Sequence, residues 1–288
     1  MCGIFFSLSR RRHIEPDPAT KECLERRGPD ASCEHKIQIR VPGDAPDEVH
    51  VAYATFFSTV LSLRGQEITQ QPLVDTDTAS FLCWNGEAWK ISGSHLNNPS
   101  PHLQSHYTDS INGNDTQVVF NLLLSASSHK QCTEPNTHDA VVEALSLISG
   151  PHAFVYFDAQ SKRIYYGRDS LGRRSLLNID AGEGDLRLAS SRYHIAPSDD
   201  VNAASTNEPR ICRGPLISEV EADGIYMIDL TVSTPFEAQS LVPHWHNRYL
   251  TRLIPYVSSD IHVPNGKLSA VSSLLQIIIT RRYSLWEP

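Results

Sequence analysis

Cys2 is the residue whose position most directly suggests chemistry. If Met1 is removed, Cys2 becomes the first residue and carries both a thiol and a free α-amine. A thiol has a pKa of ~8.5 and an α-amine of ~7.7–8.0, so the amine can accept the thiol proton near neutral pH. Such a residue supplies its own base for nucleophilic attack. The alternative is a chance cysteine in front of an ordinary buried strand at residues 4–8.

The remaining cysteines and the histidines form no comparable pattern. There is no Cys-x-x-Cys and no zinc-like Cys/His spacing, so no metal site is predicted and free thiols are expected. His13 is the one histidine with a position suited to a base, and the α-amine makes it unnecessary. A weaker interpretation is a zinc or disulfide module on Cys23 and Cys33. The six cysteines are Cys2, Cys23, Cys33, Cys83, Cys132 and Cys212.

Composition limits the class of protein. The 288 residues are 40% hydrophobic and 20% charged, which suits one large domain or one domain plus a fragment. The net charge of −8 argues against nucleic-acid or anionic-membrane partners. No apolar run approaches the ~18–20 residues of a membrane span, and three arginines follow the short N-terminal apolar run instead of preceding it. We expect a cytoplasmic protein.

The elements that must position Cys2 are mostly strands. Their composition predicts strands at 4–8, 36–41, 49–63, 80–84 and 87–91, and again at 152–157, 163–167, 176–179, 186–190 and 225–230. Helices are expected at 18–27, 116–125 and 137–149, the second capped by Asn114 or Asp115. Polar insertions are expected at 92–114 and 197–215, and an apolar helix at 268–279. Strands on either side of helices indicate antiparallel sheets with outer helices, an α+β fold.

Five motifs occur in order between residues 2 and 172. Together they resemble the glutamine amidotransferases of the N-terminal-nucleophile type, such as the glutaminase domain of asparagine synthetase. Leu63-Arg64-Gly65 resembles the Leu-Arg-Gly stretch that replaces the usual Glu-Arg-Leu in the asparagine synthetase domain-containing proteins. The five motifs are Cys2-Gly3-Ile4-Phe5, Arg27-Gly28-Pro29-Asp30, Asn85-Gly86-Glu87, Asn114-Asp115-Thr116-Gln117 and Gly167-Arg168-Asp169-Ser170-Leu171-Gly172.

The resemblance implies a fold and an activity. The fold is a four-layer αββα N-terminal-nucleophile hydrolase sandwich, with two antiparallel sheets between helices. Residues 2–232 would be the amidotransferase domain, and 233–288 a linker and the truncated start of a synthetase-like domain. The implied activity is glutamine hydrolysis through a Cys2 thioester, which releases ammonia. In the full-length family that ammonia serves asparagine biosynthesis.

The resemblance also assigns roles to residues. Asn85 and the Gly86 backbone N–H would stabilise the oxyanion, Arg64 would bind the substrate carboxylate, and Glu87 and Asp115 its α-ammonium. Four residues would be structural near the site: Arg27, Asp30, Arg168 and Asp169, the last two through a salt bridge beneath it.

Each assignment has a structural alternative. Arg64 could be a solvated strand-end charge, Asn85-Gly86 a hairpin turn, and Asp115 only a helix cap. Gln117 replaces an acidic residue that is usual in the family.

The resemblance stops at about residue 260. No Ser-Gly-Gly loop for ATP pyrophosphate occurs. The resemblance implies no cofactor for the glutaminase domain, and ATP and Mg²⁺ are expected only for the missing synthetase domain. The expected partners are L-glutamine and a synthetase domain or chain that accepts ammonia. The alternative function is a catalytically silent glutamine-binding or interaction domain that retains the fold.

Overall fold

The computed structural model describes residues 1–43, 47–63, 67–93, 100–111, 113–128, 140–181, 184–192, 215–231 and 250–255. Every described residue belongs to the compact unit Met1–Tyr256. The predicted helix at 268–279 and nearly all of the insertion at 197–215 lie outside the described residues. The predicted domain boundary at residue 232 stays a prediction.

Strands dominate the described chain. In order, the elements are β1 (Gly3–Ser9), α1 (Pro18–Arg27), β2 (Ala31–Pro42), β3 (Val49–Val60), β4 (Leu73–Val74), β5 (Phe81–Gly86), β6 (Lys90–Ile91), a 3₁₀ helix (Pro101–His106), α2 (Asp115–Ser128), α3 (Ala140–Ser146), β7 (Ile148–Ser149), β8 (His152–Asp158), β9 (Arg163–Arg168), β10 (Leu177–Asp180), β11 (Leu186–Ala189), β12 (Leu216–Glu219), β13 (Gly224–Asp229) and β14 (Leu250–Pro255).

Most strands belong to two six-stranded sheets. The first has the order β12-β10-β11-β1-β3-β2 and the second β14-β13-β9-β8-β5-β4, while β6 and β7 pair separately. The strand pairings in both sheets are antiparallel. β1 lies inside the first sheet, with Gly3 opposite Thr59 of β3 and Phe5 opposite Ala189 of β11. The N-terminal strand is therefore held by neighbours on both sides.

Side-chain alternation along the strands produces four layers, because successive residues point to opposite faces. Ile4 and Phe6 of β1 pack between the sheets, in the same cluster as Phe81 and Phe157. Phe5 faces the other way and packs with Leu24 of α1. On the outer face of the second sheet, strand residues pack against α2 and α3 in a further buried cluster. The predicted αββα sandwich of two antiparallel sheets between helices is confirmed.

Helix α1 begins and ends where the sequence predicts. The Asp17 carboxylate accepts a hydrogen bond from the Thr20 N–H at 3.0 Å, Pro18 takes the first helical position, and Gly28 follows the last. A capping carboxylate, an early proline and a terminal glycine are the local signals that delimit a helix. The short β12 was missed because three of its four residues are exposed, which leaves no alternating pattern to detect.

The hairpin-turn alternative for Asn85-Gly86 is wrong. Both residues end β5, opposite Ala153 and His152 of β8. A Cβ on residue 86 would lie 2.6 Å from the His152 Cα, closer than real Cβ contacts allow. Glycine is therefore needed here for the close approach of two strands and not for a turn.

His152 makes the stability of this strand pair depend on pH. The side chain is 3% exposed and its ring stacks on Trp84 at 4.8 Å. Burial lowers its pKa from 6.5 to about 4, partly offset by Asp169. Between these values the unfolded chain takes up a proton that the folded state does not, so the free energy of unfolding falls as pH falls. A shift of this size corresponds to about 3 kcal/mol.

We predict that His152→Asn flattens this dependence. The amide can keep an N–H near the Nδ1 position, which lies 3.1 Å from the Gly150 carbonyl oxygen, but it does not titrate. The variant should be less stable than the wild type at pH 7, because the stacking is reduced, and should lose less stability between pH 6.5 and 4. Urea unfolding at fixed pH values measures both. Parallel curves for the two proteins would contradict the assignment.

Candidate active site

Short backbone contacts fix the chain next to Cys2. The Gly3 N–H donates to Thr59 Oγ1 at 3.0 Å, and that hydroxyl donates to the Leu24 carbonyl at 2.6 Å. The Ile4 N–H donates to Ser190 Oγ at 2.8 Å. A Cβ on residue 3 would overlap the Thr59 hydroxyl. Glycine at position 3 therefore lets β1 approach β3 closely enough to hold Cys2 in place.

A cavity of about 60 Å³ opens beside Cys2. Five of the predicted catalytic and substrate-binding residues line it, as does Arg174, which lies outside the five motifs. Arg64 lies outside the described residues, whereas its neighbour Leu63 lines the cavity. The five predicted residues are Cys2, Asn85, Gly86, Glu87 and Asp115.

The Cys2 thiol is half-buried at the cavity wall. Its Sγ lies 3.9 Å from the Leu61 carbonyl oxygen, to which it can donate. Burial raises the pKa of this thiol, while the Leu61 contact and the charge of Arg27 act in the opposite direction. The thiol is therefore protonated at neutral pH, and its use as a nucleophile requires a base.

Asn85 places an unsatisfied amide in the same cavity. The residue is 0% exposed, and neither Oδ1 nor Nδ2 has a hydrogen-bond partner among the described residues. A buried polar group left unpaired costs about 1–3 kcal/mol. Most buried side-chain polar atoms are paired, so an exception calls for an explanation. A ligand oxygen in the cavity could accept a hydrogen bond from Nδ2.

Asn114 and Asp115 have different roles at the start of α2. Asn114 is the cap, because its Oδ1 accepts the Gln117 N–H at 3.1 Å. Asp115 is 7% exposed, and its Oδ2 accepts the Ala88 N–H at 2.7 Å. The cap-only alternative for Asp115 is therefore wrong. Gln117 is exposed and donates to Asn121, so the unusual residue does not line the cavity.

Glu87 and Arg174 form a loose ion pair at the cavity. Glu87 Oε1 lies 3.9 Å from Arg174 Nη2, and Glu87 Oε2 accepts the Trp89 indole N–H at 3.4 Å. The Glu87 side chain is 33% exposed. In the sequence, Arg174 lies two residues beyond the Gly-Arg-Asp-x-x-Gly motif, and the Arg173-Arg174 pair was the only available signal.

Asp30 ties the end of β3 to the site. Its N–H donates to the Val60 carbonyl at 3.0 Å, and its Oδ2 accepts the Ser62 N–H at 2.7 Å. The segment it holds supplies Leu61, the acceptor for the Cys2 thiol. Arg27 reaches the N terminus directly, since its carbonyl accepts the Met1 ammonium at 3.4 Å.

Arg168 and Asp169 make ion pairs beneath the strands of the site. Arg168 Nη1 lies 2.9 Å from Glu219 Oε2, and Asp169 Oδ1 accepts from Arg173 Nε at 2.8 Å. Asp169 Oδ2 also accepts the His152 N–H at 3.1 Å, next to Gly86. Burial acts to raise the pKa of Asp169, but the hydrogen bonds from Arg173 and His152 outweigh it and lower the pKa.

The other candidate groups lie elsewhere. His13 packs edge-on against Tyr53 at 5.2 Å, and Tyr53 is opposite Ser9, at the far end of β1 from Cys2. Cys23 and Cys33 are free thiols. Among the described residues, no group of three or more His, Cys, Asp or Glu side chains is arranged to hold a metal ion. Within the same residues, no helix has the length and apolarity of a membrane span.

Comparison with known proteins bears on the same region. The family model described as a glutamine amidotransferase domain matches residues 59–196. Asparagine synthetase domain-containing protein 1 of Gallus gallus is 32% identical over 235 residues, which is 80% of this chain and 29% of that protein. The protein of the same name from Homo sapiens is 33% identical over 183 residues, or 62% of this chain and 22% of that protein. The chain thus spans less than a third of the length of these relatives.

Among solved structures, similarity is found to glutamine phosphoribosylpyrophosphate amidotransferase from B. subtilis complexed with ADP and GMP. The TM-score is 0.40 at 17% identity, with 79% of this chain and 47% of the other covered.

The family match includes Asn85, Glu87 and Asp115, and the alignment with the chicken relative extends over most of the chain. These matches confirm the resemblance to the glutamine amidotransferases. The chain therefore contains a glutamine amidotransferase domain of the asparagine synthetase type.

Proposed function

We propose that this domain hydrolyses glutamine, with Cys2 as the nucleophile once Met1 has been removed. The observation that supports the proposal best is the unpaired, fully buried Asn85 amide in the cavity that Cys2 also lines. Oxyanion sites consist of preorganised donors aimed at developing negative charge. An amide that folding leaves unsatisfied fits this requirement better than it fits any structural role.

The reaction needs one proton carrier and one oxyanion site. The α-amine of Cys2 takes the thiol proton, and the thiolate attacks the side-chain carboxamide carbon of glutamine. Asn85 Nδ2 and the Gly86 N–H stabilise the oxyanion. As the C–N bond breaks, the amine returns the proton to the leaving nitrogen and ammonia departs. Water, deprotonated by the same amine, then attacks the thioester carbon. As the C–S bond breaks, the amine returns the proton to the Cys2 sulfur, and glutamate is released.

The charges around the cavity suit an amino-acid substrate. Asp115 and Glu87 bring two carboxylates to the cavity wall, and in this proposal they bind the α-ammonium of glutamine. Arg64, next to the cavity-lining Leu63, binds the α-carboxylate through its bidentate guanidinium. Arg27, Asp30, Arg168 and Asp169 act as structural supports.

The fate of the ammonia is a further part of the proposal. In it, residues 2–232 form the amidotransferase domain and 233–288 begin the connection to a synthetase domain or chain in the cytoplasm. That partner would use the ammonia for asparagine biosynthesis, and ATP and Mg²⁺ would be bound there. The relatives are more than three times as long as the matched region, which leaves room for such a domain.

One observation favours a second candidate, a catalytically silent glutamine-binding domain. With Met1 in place, the Cys2 nitrogen is part of a peptide bond, so the thiol has no α-amine base. The Met1 ammonium instead contacts the Arg27 carbonyl, and burial keeps the thiol protonated. A chain that retained Met1 would bind glutamine without turning it over. The mass of the purified protein separates the two cases.

We predict that Cys2→Ala abolishes glutamate and ammonia release by the Met1-free protein, because no other thiol lines the cavity in the described chain. Isothermal titration should still detect glutamine binding, since the groups that hold the substrate remain. Cys23→Ala is the matched control and should keep full activity. Release that survives Cys2→Ala would exclude the proposed nucleophile.

We predict that one alanine inserted between Met1 and Cys2, with Met1 removed, lowers kcat by about 10²–10⁴-fold. The insertion displaces the amine by one residue, about 3.8 Å, and general-base catalysis contributes a factor of this size. Glutamine affinity should change little. A single-turnover assay followed by mass spectrometry measures the loss, and unchanged turnover would mean that another group acts as the base.

We predict that Asn85→Ala lowers kcat by about 10²–10³-fold, the usual effect of removing one oxyanion donor. Because the amide has no protein partner among the described residues, its loss should leave the melting temperature nearly unchanged. Trp84→Ala is the contrasting variant, in which loss of a buried ring should lower the melting temperature sharply. A large fall in the stability of Asn85→Ala with kcat preserved would reverse the assignment.

A further inference from the structure

Two guanidinium groups converge on the N terminus. Arg27 is the last residue of α1, and its Nη2 lies 3.9 Å from the Met1 sulfur. Arg174 follows β9, and its Nη1 lies 3.0 Å from the same sulfur. The Nε atoms of both side chains are buried and have no hydrogen-bond partner in the described part of the chain. Both guanidinium groups are thus held next to Met1, although the Nε–H group of each has no hydrogen-bond acceptor in the described part of the chain.

The two positive charges act on each other and on the terminal amine. Burial and the charge of Arg174 lower the pKa of Arg27. Burial also lowers the pKa of the Met1 ammonium, and both arginines lower it further, whereas Cys2 and Asp30 act to raise it. The nitrogen of Cys2 is one residue away, at about 3.8 Å between successive Cα atoms. It therefore experiences the same pair of charges.

We propose that Arg174, together with Arg27, keeps the α-amine of Cys2 unprotonated near neutral pH in the Met1-free protein, so that the amine is available as a base. The inference rests on the proposed function, because only a catalytic Cys2 needs this amine. Arg174 is a positioning residue in this scheme. It acts on the base through its charge and takes no part in bond making.

The sign of the effect follows from electrostatics. A neighbouring positive charge disfavours the ammonium form of the amine, so the amine loses its proton at lower pH. Arg27 also favours the thiolate form of Cys2, and the amine and thiol titrate as a coupled pair. Both effects lower the pH at which the pair first loses a proton. The acidic limb of the pH–rate profile therefore moves to lower pH.

Nearby carboxylates oppose this effect and limit its size. Glu87 lies 3.9 Å from Arg174, Asp30 acts on the terminal amine, and Asp115 acts on the thiol. Each of these acidic groups opposes the effect of the two arginines. With partial compensation in a partly solvated site, removing one arginine should shift the amine titration by about 0.5–1 pH unit.

The direct test measures the amine without requiring catalysis. A fusion is cleaved so that residue 2 becomes the first residue, in a Cys2→Ala background. The rate of N-terminal acylation by a limiting reagent is then followed by mass spectrometry from about pH 5 to about pH 9. We expect Arg174→Gln to raise the amine titration midpoint by about 0.5–1 unit, whereas Arg174→Lys, which keeps the charge, should leave it near the parent value.

Arg26→Gln is the matched control. It removes the same charge one residue from Arg27, but Arg26 is exposed and paired with Glu22 at 2.5 Å. Its midpoint should equal that of the parent. The proposal is overturned if Arg174→Gln leaves the midpoint unchanged or lowers it, or if Arg26→Gln raises it equally. If Arg174→Gln does not fold, Arg27→Gln in the same assay must raise the midpoint, and a midpoint at the parent value overturns the proposal.

The pH profile of glutamine hydrolysis by the proteins with Cys2 intact gives the second readout. The acidic limb of kcat/KM should move to higher pH in Arg174→Gln by the same amount as the amine midpoint. A shifted amine midpoint with no glutamine hydrolysis in any variant would reject the proposed function and leave the electrostatic assignment standing. Hydrolysis with an unmoved acidic limb would reject the role of Arg174 and leave the proposed function standing.

Discussion

The hydrogen-bonded ladders on both sides of β1 are the constraint on which the site depends. Chain termini normally fray, and a nucleophile on a frayed end has no fixed position. Here β1 pairs with β3 along its whole length and with β11 along part of it. The hydrogen bond from the Gly3 N–H to the Thr59 hydroxyl holds the start of β1 close to β3. Cys2 thereby gains the rigidity of the middle of a sheet.

This rigidity lets the fold tolerate groups that do not favour folding. An unpaired amide at Asn85, a buried carboxylate at Asp115 and the charge of Arg174 all line one cavity. The like charge of Arg27 acts on that of Arg174 from beside the N terminus. Each costs free energy unless a ligand or a neighbour compensates it. The core between the two sheets, with aromatic contacts such as Phe56 on Phe81 at 5.1 Å, offsets that cost. Unfavourable groups gathered at one place are typical of a site under functional constraint.

Sequence patterns predicted those parts of the fold that local information determines. The limits of α1 follow from Asp17, Pro18 and Gly28, and the apolar run at residues 4–8 predicts a buried strand, which is β1. Asn85-Gly86 was open to a turn interpretation because the local signal for a turn is the same dipeptide. What requires glycine there is the close approach of His152, which is 66 residues away in the chain and invisible to any local pattern.

Arg174 was missed for the same physical reason. Its position beside the N terminus depends on contacts that no sequence motif specifies. The motif residues Arg168 and Asp169 bind Glu219 and Arg173 and so shape the loop that follows β9. That loop carries Arg174 to the first residue of the chain, although 172 residues separate it from Cys2. A motif fixes which groups are present, whereas the protonation state of a base depends on charges delivered by other elements. The electrostatics of Cys2 therefore come from the tertiary fold, and only the identity of the nucleophile is local.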